Sequence, residues 1–422
     1  MIKNKKINNI LQYIFVILLI LETNSIYSQI YGIHLYIRTA IIITSIIIIL
    51  IFILNKETVI YKTILKFIIY DLICSSVLMI NTNNFNGKII ILLVFILYLP
   101  LCLIYLSNLS KENLMELLKK FVNVVIILCL MSLFFWSMSS IFNVLKPTGT
   151  LNVVWAKPYS IYDNFFYLHF NIYTQDVWWI TGFPLARNMG IYTEGPMYAF
   201  ILIIALLFNN LLCYEHNRSN LIKTIILFVT MLSTISVTGI TCAVIIIILN
   251  FLINIKNKKK TLLSLICMMI ICIFMLPLGI NIFNKKLQTG SAKHRNLDIK
   301  NGIETFMESP IIGKGILHER PTENEFEIGY GYSNTIVPVL TDGGILLGII
   351  YIFPAIALLY RSFKENKNER RKHLILILIY DIILFTTLVQ YRLSLMFLIS
   401  IIYCQQLKMK ENLKSQKFLL GE

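Results

Sequence analysis

Twelve apolar runs of near membrane-crossing length divide this 422-residue chain. They cover residues 7–21, 35–54, 59–80, 89–107, 121–143, 196–212, 221–237, 239–255, 261–281, 335–360, 373–390 and 393–407, the first and last being the shortest. A helix crossing the hydrocarbon region needs ~20 mostly apolar residues. Lipid cannot hydrogen-bond a bare backbone, so such runs must be helices or strands of a closed barrel. They lack the period-two alternation of strands and are too long for a barrel. The fold class expected is therefore all-α, a polytopic integral membrane protein with about twelve transmembrane helices. Composition agrees, with 57% hydrophobic and only 14% charged residues, where soluble domains carry ~25% charged.

Basic residues orient the runs, because short cytoplasmic loops collect Lys and Arg. With the N-terminus inside, 24 of the 38 Lys and Arg fall on the inner side and 13 on the outer, with Lys66 inside a span. Both termini are then expected to be cytoplasmic, with the membrane crossed many times. The formal charge of +16 reports this topology. No compact basic domain supports nucleic-acid binding, so no nucleic-acid partner is expected. The N-terminus has basic and apolar parts but no small-x-small cleavage site after Leu21, and it reads as an uncleaved first span. The eight cysteines lie in spans or at their edges. They read as small buried apolar residues rather than a disulfide framework or a metal site.

Two segments break the pattern of span and short loop, and loops beyond ~12–15 residues usually carry function or are disordered. Both lie on the expected outer side. The first, 144–190, holds Trp155, Trp178 and Trp179 with many Tyr and Phe. These rings suit an interfacial aromatic belt, and they also suit stacking on sugar faces. His169 reads there as a satisfied interfacial histidine. In the second, 283–334, Ile299, Ile303 and Phe306 recur at helical spacing, with Asp298, Asn301, Glu304 and Glu308 off that face. That spacing predicts an amphipathic helix along the membrane surface, weakened by Gly302 and ended by Pro310. Gly313-Lys314-Gly315 follows as a turn that lacks the spacing and Ser/Thr of a phosphate loop. The acidic run Glu319, Glu323, Glu325 and Glu327 reads as a solvated face.

Four signals gather on the outer side. Arg187 and Glu194 bracket the entry to the sixth run in RNMGIYTEGPMYAF. A carboxylate at a helix start and a snorkelling arginine are each ordinary there. His294-Arg295 opens the amphipathic helix. The string STISVTGIT (233–241) forms a tight turn whose hydroxyls can satisfy their own helices. In SNTIVPVLTDGGILLG, Asn334 enters a span, Gly343, Gly344 and Gly348 permit close packing, and Asp342 is costly in lipid without a partner.

In this order the segments resemble the O-antigen polymerase and ligase superfamily of bacterial membrane glycosyltransferases. RNMGIYTEGPMYAF resembles its arginine–glycine–glutamate block, and Arg295 with GIETFMESPIIGKG resembles the block of its large outer loop. SNTIVPVLTDGGILLG resembles the block that follows. The likeness spans roughly residues 180–400. It implies a GT-C-like fold and a Wzy-type repeat-unit polymerase, which moves a growing glycan from undecaprenyl pyrophosphate to the next lipid-linked repeat. Its partners are the lipid-linked donor and acceptor, membrane lipid and a chain-length regulator protein. No cofactor or metal is implied. By the same resemblance Arg187, Arg295 and Glu194 are the catalytic residues, and His294, His318, Asn334, Gly313 and Gly315 bind substrate. Guanidinium forks suit a diphosphate leaving group.

The sequence departs from the family pattern in two places. Ser333 stands where ligase relatives often carry a histidine, which favours a polymerase over a ligase. STISVTGIT lacks the arginine that follows the family's Thr/Ser turn. A base, where one is needed, then falls to His294, His318 or Glu194. The resulting organisation is helices over 1–143, an aromatic loop 144–190, central helices 191–282, the loop with its amphipathic helix 283–334, and helices and tail 335–422. The alternatives are a glycan ligase and a lipid-linked oligosaccharide flippase or transporter. Lys66, Asp71 and Asp381 within spans are the features that suit transport.

Overall fold

The computed structural model describes residues 2–30, 33–54, 62–153, 160–172, 185–213, 217–254, 290–318 and 332–405, but not the side chains of 2–6, 30, 52, 153, 160, 254 and 290–296. The expected span 261–281, Cys267 and Cys272, Trp155, Trp178, Trp179 and the acidic run 319–327 lie outside these residues. So do the side chains of His294 and Arg295.

The described chain is mostly helical. In order come α1 (Ile2–Glu22), the short α2 (Ile26–Ile30), α3 (His34–Leu54) and α4 (Lys62–Asn81). Next are α5 (Phe85–Asn108) and α6 (Lys111–Ile141), three strands, and α7 (Gly195–Leu212). The remaining helices are α8 (Arg218–Ser233), α9 (Val237–Asn254), α10 (Gly290–Glu308), α11 (Ile336–Ser362), α12 (Lys367–Thr386) and α13 (Leu393–Gln405). Among the described residues, six helices are long and apolar enough to cross a membrane: α3, α4, α5, α6, α7 and α11. Three shorter apolar helices join them, at Ile7–Glu22, Val237–Ile253 and Leu393–Gln405.

Polar residues at the turns set the helix starts. Asn84, Ser110, Asn217 and Asn366 each accept a hydrogen bond from a backbone N–H of the first helical turn, which satisfies donors that a helix start leaves open. Pro100 removes a donor inside α5, and the helix widens to π-type turns over Ile91–Tyr98 just before it. The core is built on α7 and α13, in which residues 197–208 and 393–404 are all buried. The peripheral helices instead expose apolar side chains, among them Ile43, Ile73, Ile127, Ile225 and Ile356. Water penalises such a surface and lipid does not. The chain is a polytopic membrane protein.

Two expectations need correction. The loop after α6 adds strands to what was read as an all-α chain. β1 (Gly149–Val153), β2 (Ser160–Phe165) and β3 (His169–Asn171) form an antiparallel sheet in the order β1-β2-β3. Burial in β2 does not alternate: Tyr162, Asn164 and Phe165 are all buried, so both faces of the strand are covered toward its end, while Ile161 is exposed. Tyr162 and Phe170 pack with Ile26 and Met189, so these rings are core plates rather than free sugar-stacking surfaces. His169 is fully buried. Its Nε2 lies 2.8 Å from Asn171 Oδ1, its ring stacks on Phe135, and burial lowers its pKa to about 4.

The second correction concerns α10. Its buried residues are Asp298, Gly302 and Thr305, whereas Ile299 and Ile303 are exposed. Gly302 does more than weaken the helix, because a Cβ there would lie 2.1 Å from Val337 Cγ1. The glycine lets α10 dock on the start of α11, and this leaves the apolar stripe facing outward, as a membrane-surface helix requires.

Candidate functional site

One end of the bundle collects the chemistry. The α4–α5, α8–α9 and α12–α13 turns meet there with the sheet, the segment before α7 and the loop after α10. The decisive local event is a break in α11. Gly344 has φ +60° and ψ −158°, a conformation open essentially to glycine alone. A broken helix frees backbone groups that must find new partners. The loop after α10 supplies them. Ile345 N donates to Pro310 O (2.8 Å) and Leu346 N to Ile311 O (3.2 Å), while Lys314 N and Gly315 N donate to the carbonyls of Thr341 and Asp342, each at 2.8 Å.

Gly313 and Gly315, expected to meet substrate, are what let this loop fit. Both have positive φ, and Cβ atoms on them would lie 2.4 Å from Asp342 backbone and 2.6 Å from Asn81 O. Gly344 likewise admits the loop rather than a neighbouring helix, since a Cβ there would be 2.3 Å from Ile311 O. Asn334 is buried, and its Oδ1 accepts from Val337 N at 2.9 Å, capping α11.

The break sets Asp342 opposite the loop's last described residue, His318. His318 Nδ1 is 3.1 Å from Asp342 Oδ1 and 3.0 Å from Gly315 O. Both neighbours are acceptors, so Nδ1 carries the hydrogen. The side chain is 9% exposed. Its Nε2 is buried and has no hydrogen-bond partner among the described residues. The Tyr391 hydroxyl donates to the other carboxylate oxygen, Asp342 Oδ2. Asp342 thus meets the partner requirement of a carboxylate within an apolar span.

Arg187 and Glu194 lie at the head of α7, and both are half-buried. The Arg187 side chain runs over Gly195, with Cδ 3.6 Å from where a Cβ would sit. The segment is pinned to the α8–α9 turn, because Asn188 N donates to Ser233 O (3.0 Å) and its amide to Ser233 Oγ (2.9 Å). Thr193 N donates to Asn24 O, which ties the same segment to the end of α1. The RNMGIYTEGP block and the Ser/Thr turn are thereby brought together. The turn hydroxyls of Ser233, Thr234 and Thr241 bond their own helix carbonyls. The in-span charges that suit transport do not assemble: Lys66 is exposed, Asp71 buried and Asp381 half-buried, and no ion pair joins them among the described residues.

One cluster escapes the sequence motifs. Glu22, fully buried, accepts from Arg38 Nε at 2.7 Å and from Leu393 N at 3.0 Å. Arg38 Nη2 donates to Tyr391 O at 2.9 Å. Arg392 Nη1 stands 4.0 Å from Glu22 Oε1. Burial, with Arg38 nearby and despite Glu22, lowers the Arg392 pKa to about 10. These charges sit at three distant span ends. The only sequence signal for them is an unexplained ion beside an apolar run.

A family model described as O-antigen ligase matches residues 222–352. The match runs from α8 into α11, past the Gly344 break, and contains both His318 and Asp342. It is narrower than the likeness read from the sequence and leaves out Arg187, Glu194 and the Glu22 cluster. No curated protein matches the chain.

Proposed function

We propose that this chain is a member of the O-antigen polymerase and ligase superfamily, as the family match over residues 222–352 supports, and that it polymerises surface polysaccharide repeat units. The growing glycan passes from undecaprenyl pyrophosphate to a hydroxyl of the next lipid-linked repeat, at the outer face of the cytoplasmic membrane, with both termini inside. The observation that carries this reading is the His318–Asp342 pair within the matched segment. Gly315 O accepts the Nδ1 hydrogen, Asp342 Oδ1 stands 3.1 Å from the same nitrogen, and Nε2 is left to take a proton.

In the reaction the acceptor hydroxyl oxygen bonds to the anomeric carbon and gives its proton to His318 Nε2. The bond from that carbon to the diphosphate oxygen breaks, and its electron pair leaves with undecaprenyl pyrophosphate. Arg187 and Arg295 stabilise the charge that develops on the diphosphate. Glu194 orients Arg187 or contacts the acceptor sugar. The donor brings its own activated leaving group, so the step needs no nucleotide or cofactor. A GT-C-like arrangement and a chain-length regulator partner belong to the same reading.

The description of the matched family favours a second reading, a ligase that transfers finished glycan to another acceptor. Ser333 in place of a histidine favours the polymerase. The test is complementation of a strain lacking this chain with His318→Ala, Arg187→Ala or Arg295→Ala. Each variant is expected in the membrane at normal level, with single lipid-linked repeats and no long polymer. Full-length polymer from any of them would remove that residue from the mechanism. Long polymer that forms without the protein but stays unattached would favour the ligase.

A further inference from the structure

Beside the Glu22 cluster lies a cavity of about 500 Å³ that none of the family blocks touches. Its polar wall includes Arg38, Arg392, His34 and Gln390, and its apolar wall includes Leu93 and Leu317. Leu317 is 44% exposed, so the cavity reaches the surface, and it ends one residue from His318.

The charges in this wall do not balance. Glu22 is already engaged. It holds Arg38 at 2.7 Å and accepts from Leu393 N, the first N–H of α13, where the positive helix end adds to its neutralisation. Arg392 receives little in return. Its side chain is 19% exposed and has no hydrogen-bond partner among the described residues, only the 4.0 Å approach to Glu22. A largely buried guanidinium with open donors is costly unless an anion meets it. The lowered pKa of Arg392 expresses the same deficit.

We propose that this cavity is a second phosphate-binding site, distinct from Arg187, which takes the diphosphate of an isoprenoid-linked substrate. Arg392 supplies the main contact, with Arg38 and His34 beside it. The proposal rests on the polymerase reading for the identity of that substrate, since joining two lipid-linked repeats requires two diphosphates to be held at once. The cavity chemistry favours a lipid-borne phosphate over a free one. The lining combines charged groups with the aliphatic side chains Ile89, Ile90, Leu93 and Leu317, which suits a phosphate head joined to an isoprenoid tail. Planar guanidinium forks suit phosphate oxygens.

The test measures binding to the purified full-length chain in detergent by calorimetry, with farnesyl diphosphate as probe and no turnover. Wild type is expected to bind it at two sites. Arg392→Gln is expected to lose one site, with affinity there at least about tenfold weaker, and Leu317→Trp to lose the same site by filling the cavity. Arg187→Ala is expected to keep it. Inorganic pyrophosphate should bind this site at least about tenfold more weakly than farnesyl diphosphate, and phosphatidylglycerol should not displace the probe. Unchanged binding in both Arg392→Gln and Leu317→Trp overturns the site. Equal binding of pyrophosphate, or displacement by phosphatidylglycerol, overturns the isoprenoid assignment in favour of a free anion or a phospholipid headgroup. Because only binding is read, a chain that binds the probe here but extends no glycan refutes the polymerase and leaves the site standing.

Discussion

Asp342 Oδ1 lies 3.1 Å from His318 Nδ1, although one residue belongs to a helix and the other to the loop that fills that helix's break. Gly315 O accepts the Nδ1 hydrogen beside Asp342, and Nε2 has no hydrogen-bond partner among the described residues. His318→Ala is therefore expected to lower turnover by about 10²-fold or more, the usual scale of a positioned general base. Asp342→Asn should lower it by a smaller but measurable factor, with lipid-linked repeat binding nearly unchanged in both. Initial rates and binding measured on the same preparations check this. A parallel fall in binding affinity would assign His318 to substrate positioning instead.

The break itself depends on Gly344. Any side chain there meets Ile311 O at 2.3 Å in a backbone conformation that L-residues rarely adopt. Gly344→Ala is expected to cost roughly 2 kcal/mol or more. A thermal-unfolding series in detergent should show a lowered midpoint, whereas Gly149→Ala, where a Cβ meets nothing within 4 Å, should change it little.

Glu22 is fully buried between Arg38 and the first N–H of α13. Its removal leaves Arg38 as a buried charge without its counter-ion. Glu22→Ala is expected to destabilise by about 3–5 kcal/mol and to lower membrane yield sharply. The double variant Glu22→Ala, Arg38→Ala should recover part of the loss, read as the unfolding midpoint of the two proteins side by side.

His169 gives a pH dependence of known sign. Its folded-state pKa of about 4 lies below the ordinary value of 6.5. Between those values the unfolded ring binds a proton and the folded ring does not, so stability falls as pH drops from about 6.5 toward 4, in full by on the order of 3 kcal/mol. His169→Gln cannot titrate, and the slope of its unfolding midpoint between pH 7 and pH 4.5 is expected to be shallower than that of wild type.

The helical frame was legible in the sequence because a membrane leaves few options for a long apolar run. The sheet was not. Its strands are only three to six residues long, and burial in β2 does not alternate, since Tyr162, Asn164 and Phe165 are all buried. For α10 the period was read correctly, but only the packing of Gly302 on Val337 shows which face turns inward. Asp342 was flagged by its cost in lipid and His318 by its loop. Their pairing follows from a helix break that no local pattern announces. Arg38 and Arg392 were read as charges that set topology. Their sequence separation hides that Glu22 and the Tyr391 carbonyl draw them to one place.

The central claim is that this protein extends a glycan, and the direct measurement is chain length after incubating the purified protein in detergent with undecaprenyl-pyrophosphate-linked repeats. No ion gradient exists there, and no separate acceptor is supplied. The account predicts a ladder of products longer than one repeat together with released undecaprenyl pyrophosphate, both absent with His318→Ala. Repeats that bind but remain single with the wild-type protein would contradict it.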